Sequence, residues 1–121
     1  ETNLERTFAR LKRQQKEAEI KKGIRNLLRL LRIPHRNIWQ GQFSDPGISD
    51  LIGVIPNLGR ALFIEVKVPG HRKDTKTYRA QEQFLNEMRG AGALAFFAED
   101  PREVVARLRE SGYDPAIRIL G

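Results

Sequence analysis

A chain of 121 residues with no cysteine has room for one domain with a real core, and excludes a disulfide framework, a zinc–thiolate centre and a thiol nucleophile. No apolar run approaches the roughly 20 residues of a membrane span and no leader pattern opens the chain, which predicts a soluble, intracellular protein with no membrane partner. The formal charge of +7 predicts an acidic partner, of which nucleic acid is the commonest.

Residues 1–16 are highly charged, yet Leu4, Phe8 and Leu11 recur at helical spacing. Thr2 or Asn3 is placed to cap such a helix. This segment reads as a helical extension whose narrow apolar stripe packs on the domain or on a second subunit, or as a frayed terminus. A firmer helix is predicted from about Glu17 to Arg32, ending before Pro34. Ile20, Ile24, Leu27, Leu28 and Leu31 form its apolar stripe. Steps of about 100° per residue put Glu17 within that stripe and turn Glu19 away from it. Glu17 is therefore either a site acid or a first-turn carboxylate favoured by the helix dipole. Lys21, Arg25, Arg29 and Arg32 flank the stripe, as a solvated face or as one that tracks a phosphate backbone.

Asn37 to Phe43 is a short strand candidate, with Trp39 as a packing residue, and Ser44 to Gly47 is a turn. Asp50 to Ile55 and Arg60 to Val68 read as strands joined by a turn at Pro56 to Gly59. The three strands predict an antiparallel meander. In the last of them Leu62, Ile64, Val66 and Val68 share one face, while Ala61, Phe63, Glu65 and Lys67 share the other. A strand apolar on both sides is an interior strand, and an acid on it needs a partner. Lys67 is one partner. Asp50 from the neighbouring strand would repel Glu65 unless a cation lay between them, and that is the start of a metal site.

Pro69 to Lys76 is a basic loop containing Arg72, Lys73 and Lys76. It is a solvated loop or one that grips phosphate. His35 and His71 have no ligand spacing and are assigned to no metal. A helix from Thr77 to Arg89, capped by Thr75 or Thr77, turns Tyr78, Gln81, Phe84, Leu85 and Met88 to one side. A buried glutamine needs hydrogen-bond partners, so Gln81 either ties the helix to the sheet or belongs to the site. Ala93 to Ala98 is a buried strand reached by a crossover. Asp100, Pro101 and Glu103 start a last helix, Gly112 ends it, and Pro115 to Leu120 is an edge-strand candidate.

The order helix, three strands, helix, strand, carrying Asp50 and then Glu65-Val66-Lys67, resembles the PD-(D/E)XK nuclease superfamily. Within it, Glu17 before Ile20, Gly47-Ile48-Ser49-Asp50-Leu51, Leu62-Phe63-Ile64-Glu65-Val66-Lys67 and Gln81 before Phe84-Leu85 resemble the VRR-NUC family. The pattern covers roughly residues 17–98. Ser49 departs from the proline the family often carries before the aspartate. The resemblance implies an α/β fold with a restriction-endonuclease-like core, order αβββαβ, and a central mixed sheet flanked by helices. It divides the chain into an N-terminal helical extension, 1–16, and one nuclease domain, 17–121.

The resemblance further implies metal-dependent hydrolysis of DNA phosphodiesters. Asp50, Glu65, the Val66 carbonyl and Glu17, directly or through water, would hold Mg²⁺ or Mn²⁺, hard cations suited to oxygen donors. Lys67 would orient or deprotonate the nucleophile or stabilise the phosphate. Gln81 would position Lys67 or the phosphate, and Lys21, Arg25, Arg29, Arg72, Lys73 and Lys76 would bind DNA. The expected activity is structure-selective cleavage of branched DNA by a homodimeric Holliday-junction resolvase. The alternatives are a flap, nicking or general endonuclease, and a non-catalytic nucleic-acid-binding module.

Overall fold

The computed structural model describes residues 2–38 and 49–114. The expected strand residues after Ile38, Trp39, the turn at Ser44 to Gly47 and the edge strand at Pro115 to Leu120 lie outside them.

The first helix, α1, runs unbroken from Asn3 to Leu30. Thr2 caps it in a reciprocal box with Glu5, which satisfies two amide groups that have no partner inside the helix. The polar run Lys12 to Lys16 does not interrupt it, because Lys, Arg and Gln are good helix formers without burial. Its end closes by hydrogen bonds from Ile33 N–H to Leu28 O and from Arg32 N–H to Arg29 O, with Arg32 in the left-handed region (φ 55°).

Four strands make one sheet in the order β1-β2-β3-β4. They are β1 (His35–Asn37), β2 (Leu51–Ile55), β3 (Arg60–Val66) and β4 (Leu94–Ala98). The first three pair antiparallel, and β4 joins β3 in parallel through the crossover helix α2 (Lys76–Gly90). β1 begins two residues before the predicted start, directly after Pro34. Gly53 explains the close approach, since a Cβ there would lie 2.5 Å from Pro34 O. β3 ends at Val66 rather than Val68, although Lys67 N–H still donates to Ala98 O at 2.9 Å.

The sheet is covered on both sides. Ile24 and Leu28 of α1, with Leu31 at its C-cap, pack with Val104 and Leu108 of α3 (Pro101–Glu110) against Leu62, Ile64 and Val66. Each such large side chain contributes about 1.5–3 kcal/mol through burial. On the alternate face, Phe84 of α2 meets Phe63 edge-on at 5.5 Å, and Tyr78 stacks on Phe97 at 4.7 Å. This is the expected α/β sandwich, a mixed sheet between helices. Leu4, Phe8 and Leu11 do not pack on the domain and stay exposed.

Candidate active site

The register of the β2–β3 hairpin builds the site. Leu51 pairs with Ile64, and continuing that ladder by one step sets Asp50 opposite Glu65. Both acids are buried, with 6% and 3% of their surface exposed. The Asp50 main-chain N–H donates to Glu65 Oε2 at 2.9 Å. The Val66 N–H donates to Asp50 Oδ2, also at 2.9 Å. Each carboxylate is thus tied to the backbone of the other strand, and neither can leave without breaking a buried hydrogen bond. Ser49, fully buried before Asp50, turns its hydroxyl to Leu51 O at 3.3 Å, so the departure from proline is absorbed as a local side-chain bond.

Gln81 approaches from α2. The Thr75 cap fixes the start of that helix and brings the amide over the sheet. Gln81 Nε2 donates to Glu65 Oε1 at 2.6 Å. Its Oε1 is buried with no hydrogen-bond partner among the described residues. The amide therefore reaches the acid.

Charge is crowded here. Burial, and then the Asp50 charge, push the Glu65 carboxyl up to about 8, while Lys67 pulls the other way. Glu17 is half-buried on α1. Burial raises its pKa, Asp50 adds to the rise, and Lys21 and Lys67 oppose it. Glu19 is exposed. Glu17, Asp50, Glu65, Lys67 and Gln81 thus converge at one end of the sheet.

Lys21 joins them. Its ammonium lies 3.2 Å from Asp50 Oδ1 and 3.4 Å from Asn37 Oδ1. The other proposed DNA contacts lie further out. Arg25 Nε reaches His35 Nε2 at 3.5 Å, and Arg29 donates to Asn26 Oδ1 at 3.2 Å. Arg72 pairs with Asp74 at 2.9 and 3.0 Å, holding that carboxyl below its ordinary pKa. Lys73 and Lys76 are exposed. Asn37 was not singled out by sequence; its only signal is a polar residue at the strand end. Lys21 had a clearer signal, since it follows Glu17 by one helical turn.

Two carboxylates with hard oxygen donors suit Mg²⁺ or Mn²⁺. The raised Glu65 pKa marks a place where added positive charge is favourable. Among the described residues no three His, Cys, Asp or Glu side chains form a metal-holding group. Two carboxylate donors suit a cation that keeps much of its water, as Mg²⁺ does.

A solved structure described as a VRR_NUC domain matches this chain with a TM-score of 0.60 and 25% sequence identity, over 81% of this chain and 98% of that one. The chain is similar to a VRR_NUC domain. No family model matches it, and no curated protein does. The VRR_NUC likeness covers the fold that positions the acids, a nuclease fold of the PD-(D/E)XK type. Nuclease folds of the VRR_NUC kind generally use divalent metals, in keeping with the donor chemistry above. Among the described residues no helix is long and apolar enough to cross a membrane.

Proposed function

We propose that this chain is a metal-dependent, structure-selective DNA endonuclease, and that two copies act together as a Holliday-junction resolvase. The observation that carries the nuclease reading is the cross-tied pair of buried acids, Asp50 and Glu65, with Lys67 beside them. A purely DNA-binding surface has no need to bury two carboxylates against each other, and each such burial is costly without a cation.

Asp50, Glu65 and the Val66 carbonyl would hold the hard cation, with Glu17 close by. Such an ion, when bound, would supply the acidity that activates a water and the charge that offsets the phosphate. The residues of the chain do the rest. Gln81 and the Asp50 N–H fix both oxygens of Glu65. Lys67 brings an ammonium to the phosphate as negative charge develops there, or orients the attacking water. The water oxygen bonds to phosphorus as the bond to the 3′ oxygen breaks, which leaves a 5′-phosphate and a 3′-hydroxyl. The resolvase reading rests on symmetry: a four-way junction needs two matched cuts, and two copies related by a twofold axis present two such acid pairs.

A cleavage assay on four-way junction, flap, plain duplex and single strand tests this, with Mg²⁺, Mn²⁺ or EDTA and with Asp50→Ala alongside. Paired symmetric cuts confined to the junction, lost in EDTA and in Asp50→Ala, are the expected result. Metal-dependent cutting of flaps or duplex keeps the acid pair and discards the resolvase. Binding with no cutting under any metal makes the protein a binding module. Parent-rate cutting by Asp50→Ala discards the site.

A further inference from the structure

We infer that the N-terminal half of α1 and the loop after β3 form a groove that holds the phosphodiester backbone of DNA beside Lys67. The inference rests on the nuclease reading and goes beyond it, because it gives a task to residues that read as an extension.

The side of α1 that faces the domain changes character along its length. Between Ile20 and Leu31 it is apolar and packs into or against the core. In the turns before Glu17, largely the same side carries Lys12, Arg13 and Lys16. There the helix has run past the sheet and looks across at the β3–α2 loop instead. Lys67, Val68, Pro69 and Arg72 line the opposite wall of an open groove with a volume of about 610 Å³. No acid lines it. Asp74 is taken up by Arg72 in a solvent-exposed pair, which is worth little and exchanges readily. Glu99 Oε2 comes within 3.9 Å of His71 Nδ1 at the border.

Cations on two facing walls repel one another, so the groove is stabilised by a polyanion that passes between them. Apolar Val68 and Pro69 suit the sugar faces of such a chain. Lys67 fixes the identity of the occupant. It belongs to the groove wall and also to the charge cluster of Glu65 and Glu17. A strand lying in the groove therefore leads straight to the acid pair. The stretch from Ala9 to Lys16 is roughly 10 Å of helix, the axial length of about three phosphates of one strand.

The test is the salt dependence of duplex binding, followed by fluorescence anisotropy in EDTA with the full chain. The variants are the triple Lys12→Gln/Arg13→Gln/Lys16→Gln on one wall and Arg72→Gln on the other. Glutamine keeps helix propensity, and far-UV circular dichroism checks that the triple variant retains its helix. Arg102→Gln/Arg109→Gln, both exposed on α3, is the control. Each phosphate contact contributes about 0.9 to the slope of log K against log salt. The triple variant is expected to lose roughly 2–3 from that slope and Arg72→Gln roughly 1, with the control unchanged. Parent slopes in both groove variants overturn the inference and leave the space to another occupant, such as an acidic segment of a second copy. If such a protein still cuts DNA, the nuclease reading survives alone. Reduced slopes in a protein that cuts nothing under Mg²⁺ or Mn²⁺ keep the groove and sink the nuclease.

Discussion

The Lys21 ammonium stands 3.2 Å from Asp50 Oδ1, beside the buried pair Asp50 and Glu65. It is three-quarters buried there, with 24% of its side chain exposed. The chain thus carries its own counter-charge into the site. A divalent ion bound as proposed would have to share Asp50 with it. Lys21→Met is expected to tighten Mn²⁺ binding to the free protein by roughly three- to tenfold, the effect of about 1 kcal/mol. Isothermal titration without DNA measures it. Weaker binding would mean that Lys21 organises the acids and does not compete with the ion.

Gln81 is the side chain that donates to Glu65. Gln81→Leu keeps the volume of the site but strips that donor from a buried carboxylate. Metal affinity or turnover is expected to fall by about 10–100-fold, as is usual when a residue that orients a ligand is lost. Circular dichroism should show an intact fold. Full activity in Gln81→Leu would reduce the amide to a packing role.

The raised Glu65 pKa ties stability to pH. Its carboxyl holds a proton up to about 8 in the folded chain, against 4.5 as its ordinary value. The folded state therefore binds the proton more tightly than the unfolded state does. That contribution is complete below about pH 4.5 and is lost as pH rises through about 8. Glu17 is shifted in the same direction. Urea midpoints taken in EDTA should fall across this window, less steeply in Glu65→Gln. A cation bound at Glu65 as proposed would have to expel that proton, so Mn²⁺ affinity should rise over the same range. A flat profile for the parent would show that Glu65 is ionised throughout.

Gly53→Ala tests how the edge of the site is held. The new Cβ would meet Pro34 O at 2.5 Å and His35 Cβ at 3.1 Å. Strand β1 must then move away from β2, at a cost of about 1–3 kcal/mol. Asn37 moves with it and releases Lys21. Chemical denaturation is expected to show the loss. Parent stability would mean that β1 is free to shift.

Sequence pattern carried much of this fold and part of the site. The Ile20–Leu31 stripe marked the core half of α1, and 100° steps separated half-buried Glu17 from exposed Glu19. Asp100 marked where α3 begins, and of the two caps expected for α2, Thr75 and Thr77, the structure uses Thr75. The continuity of α1 was not legible, because Lys12 to Lys16 contain no apolar residue to reveal a period. Lys21 reads in the sequence as one more cation of a face that is solvated or tracks a phosphate backbone. Only the sheet, by bringing Asp50 and Asn37 beneath it, shows which cation of that row is tied to the acids. The amide bond of Gln81 had a signal in its place on the apolar side of α2, but its partner did not. Which acid it meets depends on the crossover between β3 and β4.

Asp50 and Glu65 are only 15 residues apart, and the hairpin between them is the most local long pairing in the sheet. Closing such a loop is fast compared with forming distant contacts, so the acids can meet before α2 has docked and before β4 is in place. The arrangement is also intolerant of a change in parity. Side chains alternate with a period of two, and a shift by one residue exchanges the faces of a strand. One residue inserted between Arg60 and Glu65 would deliver the carboxylate to the Ile24–Leu28 side and set an aliphatic group opposite Asp50. The sheet could still form, but its chemistry would have been turned inside.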